Sequence, residues 1–415
     1  MPNIHLDYGL FLIAEHLAAA QKTLQEYSLP IPILEWRSQC NDNSLIAEEL
    51  RYDFAQEGTN MESLVPKLNA EQRTSYDLIL NSLEQSEATQ FFLQGPAGTR
   101  KTFLYGGLCS TLRAQGKIVL CVASSGMAAQ LLPGGRTSHF QFKIPLNIHE
   151  DSICSITHTS NLAHLLRATS LIIWDEVPMQ HKYCFEAVSK ALNDVCNTGI
   201  GKQFGNIPIV LGGDFAQMLP VVRHGNHGAI VNACIQRSHL WSGFRQLYLN
   251  QNMRVIQDNA NEEFVTFLAT MSYNYTKHGL TRLPDYIRRF HSVEEFCNEI
   301  FPPVLLNTGH LNYNSFDHRA ILSFHNNTVT EFNNILINKL QGTMHIFNAM
   351  NSVATDESFP GAEHIPAEFF QSMDCASLPP SKLLLKIGAA IILLRNLSPK
   401  EGLCNGTRMI VTQLG

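Results

Sequence analysis

The sequence predicts an α/β fold built around a parallel β-sheet, and three observations predict it. From about Lys67 to Asn252, short apolar runs alternate with longer helix-patterned stretches. Runs that apolar suit strands buried on both faces, and their alternation with helices suits a sheet covered on both sides. The run Phe91-Phe92-Leu93 leads into Gly95-Pro96-Ala97-Gly98-Thr99-Arg100-Lys101-Thr102, and a helical pattern follows. The later run Leu171-Ile172-Ile173-Trp174 ends in the two acids Asp175-Glu176.

Taken in chain order, residues 1–66 read as a helical region. Leu10, Leu12, Ile13, His16, Leu17 and Leu24 have helix-like spacing. Ser28-Leu29-Pro30-Ile31-Pro32 interrupts it, because proline removes a backbone donor and clashes with the preceding turn. A second helix is expected over Asn43–Ala55. Strands are then expected at Phe91–Leu93, Ile118–Ala123, Leu171–Trp174 and Ile207–Leu211, with helices between them. After Arg254 the texture is mixed and proline-punctuated, at Leu283-Pro284, Phe301-Pro302-Pro303 and Leu378-Pro379-Pro380. Strands are expected there at Ala320–Ser323, Gly388–Leu394 and Met409–Val411.

Composition narrows the function classes. The chain has 415 residues, of which 45% are hydrophobic, enough for a sizeable core in roughly two to four domains. Its net charge of −6 excludes a globally basic nucleic-acid binder but leaves room for a local groove. The start, Met1-Pro2-Asn3-Ile4-His5, lacks the basic and long apolar segments of a secretory signal. The longest apolar stretches, such as Ile387–Leu394, fall far short of the roughly 20 residues of a membrane helix. Ten cysteines are scattered singly with no C-x-x-C pair, which reads as free thiols in a reducing compartment.

The segment Gly95–Thr102 is a P-loop in its proper strand-to-helix context. Backbone N–H groups of such a loop wrap phosphates, and the helix N-terminus adds positive potential. Lys101 is expected to reach the β- and γ-phosphates of ATP and the Thr102 hydroxyl to bind Mg²⁺. Arg100 breaks the strict pattern, which has glycine there; its bulk is expected to weaken turnover by misplacing Lys101 while binding is partly kept. Asp175, at a strand's end, is expected to hold Mg²⁺ and Glu176 to activate the attacking water. Leu211-Gly212-Gly213-Asp214-Phe215-Ala216-Gln217 ends another strand, where Gln217 is a candidate for the γ-phosphate or the water. Asn252-Met253-Arg254 offers an arginine for transition-state charge.

Together, Leu68 to Arg254 resembles the Pif-type DNA helicases of superfamily one, which move 5′-to-3′, and more narrowly the helicase of Helitron transposons. Leu68-Asn69-Ala70-Glu71-Gln72 is similar to the family's Q motif, which implies that Gln72 reads adenine. Ala123-Ser124-Ser125-Gly126-Met127-Ala128-Ala129 and Gly135-Arg136-Thr137-Ser138-His139 resemble its single-strand-contacting motifs. Leu45–Asp53 resembles the region preceding the Helitron core, and the likeness continues through Leu385-Lys386-Ile387-Gly388, Leu393–Leu397 and Gly402–Arg408.

The resemblance implies two RecA-like domains that pinch ATP and ratchet single-stranded DNA, with the first carrying the P-loop and acids. Residues 67–253 would form that first domain, with a small wedge insertion near 133–150; residues 254–415 would form a partial second one with the start of a β-barrel-like insertion. Ser124, Ser125, Thr137 and His139 would contact DNA phosphates, and Phe142 would either stack on a base or serve as a core aromatic. The implied partners are single-stranded DNA and duplex junctions, and the implied state is a monomer in the nucleus without a membrane. Roles in DNA repair, recombination and telomere maintenance follow by the same resemblance.

Departures set a further expectation. Ala216 stands where the family usually has arginine, two later family motifs have no match, and no His-hydrophobic-His nuclease motif occurs. The second RecA-like domain is therefore expected to be incomplete, and unwinding by this chain to be poor. The competing reading is a weakly catalytic module that binds ATP and single-stranded DNA, or a decayed transposon remnant.

Overall fold

The computed structural model describes residues 24–27, 29–30, 43–85, 90–199, 201–253, 262–273, 282–303, 306, 316, 319–349, 381–394, 397, 402–403 and 405–414. The helical pattern expected from Leu10 to Leu17 lies outside them, as does Arg254. The chain divides into two compact units, Met1–Lys277 and His278–Gly415.

Where one helix was expected over Asn43–Ala55, the first unit has two short ones. Helix α1 is Ser44–Glu49 and α2 is Phe54–Leu64. The side chain of Asp53 accepts hydrogen bonds from the amides of Ala55 and Gln56 at 2.9 and 3.2 Å. Those bonds satisfy the free donors of a new helix start, so the chain breaks and restarts at Asp53. Helix α3, Ala70–Glu84, starts with a capping box in which Asn69 and Gln72 bond reciprocally.

The sheet then alternates with helices. Strand β1 is Gln90–Gln94, α4 is Lys101–Ala114, and β2 is Ile118–Ala123. Next come α5 (Gly126–Gln130), β3 (Arg136–Thr137), α6 (Ser138–Phe142) and α7 (Asn161–Ala168). Strand β4 (Thr169–Asp175), α8 (Lys182–Val195), β5 (Ile209–Gly213), α9 (His227–Ala233), β6 (Phe244–Tyr248) and α10 (Glu262–Tyr273) complete the unit. The six strands run in the order β3-β2-β4-β5-β1-β6, and every pair is parallel.

Successive residues of one strand enter different cores, as the period of two requires. Phe92, Leu120, Val122, Ile172, Trp174, Ile209 and Leu211 pack on one face with residues of α7 and α8. Phe91, Leu93, Val119, Cys121, Ile173 and Val210 pack on the other with residues of α3 and α4. This two-sided burial explains the unbroken apolar runs. It also brings the carboxyl ends of all six strands to one edge, where open α/β sheets bind ligands.

In the second unit, α11 is Val293–Ile300 and α12 is Asn326–Lys339. Strands β7 (His345–Asn348) and β8 (Lys382–Leu385) pair antiparallel, as do β9 (Ala390–Ile392) and β10 (Arg408–Ile410). The buried Lys386 donates to the carbonyls of Asn338 and Leu340, at 3.4 and 2.5 Å, and so caps the end of α12 with a positive charge. Two strand expectations are corrected here. Ala320–Ser323 forms no ladder among the described residues; it leads into α12 with Leu322 exposed. Gly388–Leu394 is a strand only over Ala390–Ile392, because Ile387-Gly388 turns, with Gly388 at φ 86°. Among the described residues no helix is long and apolar enough to cross a membrane, and the described cysteines are free thiols.

Candidate nucleotide site and DNA-facing rim

The loop Gly95–Thr102 leaves β1 at the carboxyl edge and is held from both neighbouring strands. The Gly95 amide donates to the carbonyl of Gly213 at 3.2 Å, and the Leu249 amide donates to that of Gln94 at 2.8 Å. Three loop carbonyls are tied to surrounding elements. The Asn252 side-chain amide donates to Ala97 O at 3.2 Å, the Met253 amide to Gly98 O at 2.9 Å, and the Gln72 side-chain amide to Thr99 O at 2.9 Å. A trans peptide places its N–H opposite its C=O, so these ties turn the amides of Gly98 and Arg100 to the other side of the loop. Gly98 has φ 91°, and a Cβ there would lie 2.4 Å from Asn252 Oδ1. Glycine is required on both counts.

Lys101 folds back into the loop, donating to Gly95 O at 2.6 Å. Thr102 follows it in the first turn of α4. Arg100 is exposed and sits in the left-handed region at φ 58°, ψ 46°. Besides any crowding of phosphate, the loss of glycine here costs backbone strain, about 1–2 kcal/mol for a non-glycine residue.

The acids lie on adjacent strands. Asp175 ends β4, buried to 6% exposure, and its Oδ1 accepts from the Tyr105 hydroxyl at 3.3 Å. Burial pushes its carboxyl above the usual range, while Lys101, the Glu176 amide and Tyr105 pull the other way. Burial and the neighbouring Asp175 likewise raise Glu176, which holds a left-handed backbone at φ 54°. Such strain in a non-glycine residue is typical of functional sites. Asp214, just beyond β5, anchors the next loop. Its Oδ1 accepts from the Ala216 amide at 3.0 Å and from Gln94 Nε2 at 3.3 Å, and its Oδ2 from Gln217 Nε2 at 3.1 Å. Gln217 is otherwise exposed at the same edge.

These donors fit Mg²⁺ with a nucleotide. The hydroxyl of Thr102 and the carboxylate of Asp175 are hard oxygen ligands, and two crowded acids with raised pKa values favour a cation between them. Mg²⁺ in phosphate sites takes one or two protein oxygens and completes its shell with phosphates and water.

Gly212 sets the spacing beneath Asp175. A Cβ at this glycine would lie 1.7 Å from the Tyr105 hydroxyl and 3.2 Å from Asp175 Oδ1. Gly212→Ala is expected to destabilise the fold by about 1–3 kcal/mol through overpacking and to weaken Mg²⁺-dependent nucleotide binding. Adding Tyr105→Phe, which removes the clashing oxygen, should recover part of both in thermal melts and nucleotide titrations.

The DNA candidates line the neighbouring carboxyl ends. The Ser124 amide donates to the carbonyl of Asp175 at 3.2 Å, and Ser125 caps α5 by accepting from the Ala128 amide. Thr137 stands at the N-cap of α6 without a side-chain cap bond. His139 is half-buried, and burial lowers its pKa, which favours the neutral ring. Phe142 is corrected as a base-stacking residue: it is fully buried and stacks on Trp174 at 5.3 Å between ring centroids. The exposed aromatic of the segment is Phe140, with Lys143 Nζ 4.6 Å from its ring centroid. Gln72 is also corrected. It is buried, and its amide is spent on Thr99 O and on the Asn69 amide, so in this conformation it fastens the loop instead of facing a base.

The sequence profile of the PIF1-like helicases matches residues 67–275. The chain belongs to the PIF1-like helicase family. The profile of the Pif1 DNA helicase 2B domain matches residues 368–414. The ATP-dependent DNA helicase Pif1 of Psychrobacter sp. is 24% identical over 318 residues, covering 76% of this chain and 43% of its own length. The Rattus norvegicus and Homo sapiens helicases PIF1 are 24% and 25% identical over 369 residues each, covering 88% of this chain and 50% and 49% of theirs. The chain spans about half the length of the curated relatives it matches. Among solved structures, Candida albicans Pif1 superposes with a TM-score of 0.55 at 21% identity, covering 83% of this chain and 69% of that one. A Bacteroides Pif1 in complex with ADP-AlF3 and single-stranded DNA gives 0.55 at 21% identity, covering 82% and 70%. These likenesses carry the fold: a parallel-sheet, RecA-like P-loop domain.

Beyond the motifs, the PIF1-like site uses residues that no motif reading singled out as functional. Tyr105 projects from α4 onto Asp175, Asp214 braces Gln217, and Glu71 accepts from the amides of Asn250 and Gln251 at 2.7 and 3.1 Å. The one available signal was position: Asp214 ends an apolar strand as Asp175 does. The Tyr105 and Glu71 contacts join parts of the chain far apart in sequence, and local pattern carries no trace of them.

Proposed function

We propose that the chain is the motor of an ATP-dependent DNA helicase that moves 5′-to-3′ on single-stranded DNA. The observation that carries this reading is the convergence of Lys101, Asp175, Glu176 and Gln217 at the carboxyl ends of β1, β4 and β5. Lys101 and the loop amides hold the nucleotide's phosphates. Thr102 and Asp175 hold Mg²⁺, which supplies charge neutralisation when bound. Glu176 takes the proton of the attacking water, and its raised pKa brings it nearer to that task. Ser124, Ser125, Thr137 and His139 hold the DNA backbone, and Arg254 adds positive charge at the nucleotide. The adjacency of acids and DNA candidates supports a coupled motor over two independent sites.

Helitron-type membership, a nuclear location, a monomeric state, action at duplex junctions and service in repair, recombination or telomere maintenance belong to this proposal. Steady-state ATPase measured with and without single-stranded DNA tests it. DNA-stimulated hydrolysis that is lost in Lys101→Ala supports the motor. Nucleotide binding without hydrolysis supports the binding-module reading, which the strained Arg100 favours. Unwinding assays on 5′- and 3′-tailed forks then test direction.

A further inference from the structure

Between the acids and the DNA-facing rim stands one buried side chain. Gln180 closes the turn that follows Asp175-Glu176 and is 6% exposed. Its Oε1 accepts from Ser124 Oγ at 2.8 Å and from Ser138 Oγ at 3.2 Å. Ser124 follows β2, and its amide is bonded to Asp175 O at 3.2 Å. Ser138 opens α6, between Thr137 and His139, and is fully buried, so it cannot itself reach DNA. One amide oxygen thus joins both DNA-candidate segments to the segment that carries the two acids. The Ser124 hydroxyl also lies 3.5 Å from Asp175 O, at the limit of a hydrogen bond, so Gln180 Oε1 at 2.8 Å is its stronger acceptor, and breaking a buried bond strands its partner. Movement of either segment therefore pulls on the turn beside Glu176.

We infer that Gln180 is a positioning residue that couples single-stranded DNA binding to the nucleotide site, acting through Ser124 and Ser138. The inference rests on the proposed motor function and names the physical link within it. A coupled pair of sites must show reciprocal effects on affinity, typically about 5–150-fold. Gln180 carries that coupling through a bonded path from the rim to the acids, without touching either ligand.

The test measures the affinity of a non-hydrolysable ATP analogue with and without an oligothymidylate, and of the oligothymidylate with and without the analogue. It is run on the wild type, Gln180→Met and Ser138→Ala, with thermal melts to verify folding. In the wild type each ligand is expected to tighten the other by roughly fivefold or more. In Gln180→Met the factor is expected to fall well below the wild-type value, the direct bond from the Ser124 amide to Asp175 O being kept, and in Ser138→Ala to an intermediate value, with each ligand still bound alone. Ser138→Ala keeps the bond to Ser124 and leaves every candidate contact in place, so it serves if Gln180→Met fails to fold. Undiminished coupling in a folded variant overturns the inference. Binding of both ligands by the wild type with no coupling overturns it too, while leaving the two sites standing. Failure of the wild type to bind either ligand removes the motor reading and this inference together.

Discussion

Glu176→Gln is expected to lower ATP turnover by about 10²–10⁴-fold, the usual contribution of a positioned general base. The geometry argues for so large an effect from so small a change. Glu176 lies directly after β4, beside the buried Asp175, and its left-handed backbone aims it away from the strand's own direction. Burial raises its pKa, with Asp175 and then Asp214 among the groups that add to the rise. Glutamine keeps the shape and removes the proton acceptor. Nucleotide affinity should therefore survive, since Lys101, Thr102 and the loop amides are untouched. Single-turnover hydrolysis and a separate fluorescence titration read the two properties apart. An unchanged hydrolysis rate would exclude Glu176 as the base.

Arg100→Gly is expected to act in the opposite direction, on both stability and turnover. Relief of the left-handed strain is worth about 1–2 kcal/mol, and the greater chain entropy of unfolded glycine offsets about 0.4–1 kcal/mol of it. The net is a gain of roughly 0.5–1 kcal/mol, readable as a rise of about 1–4 °C in melting temperature. A glycine also lets the backbone close more tightly on phosphate oxygens. Turnover should rise by about tenfold, less than the roughly hundredfold associated with a 1 Å misplacement of a reacting group. The reason for the smaller figure is that Lys101 already folds into the loop onto Gly95 O despite Arg100. A variant matching the wild type in ATP affinity, turnover and melting temperature would overturn this account of Arg100.

Much of the first unit was legible because its signals are local. A strand buried on both faces shows as an apolar run, and β1, β2, β4 and β5 each lie where such a run predicted them. A phosphate loop needs glycine where the backbone turns left-handed, and Gly98 shows it. Phe142, left open between a base and the core, and Gln72, expected to face adenine, could not be settled locally for one reason. Whether an aromatic ring or an amide faces solvent or the interior is settled by partners distant in sequence, Trp174 for the first and Thr99 for the second. Ala320–Ser323 failed for another: an apolar run makes a strand only where a neighbour supplies a ladder.

By itself the sequence determined the parallel α/β architecture, the phosphate loop, the paired acids and the family they indicate. Each depends on residue type at fixed spacing along a single element. Only the tertiary structure decided that Arg100 carries left-handed backbone strain, that Tyr105 and Gly212 set the surroundings of Asp175, and that Gln180 bridges the acids to the rim. Those facts depend on backbone dihedrals and on contacts between residues far apart in the chain, which exist only once the strands have been ordered into a sheet.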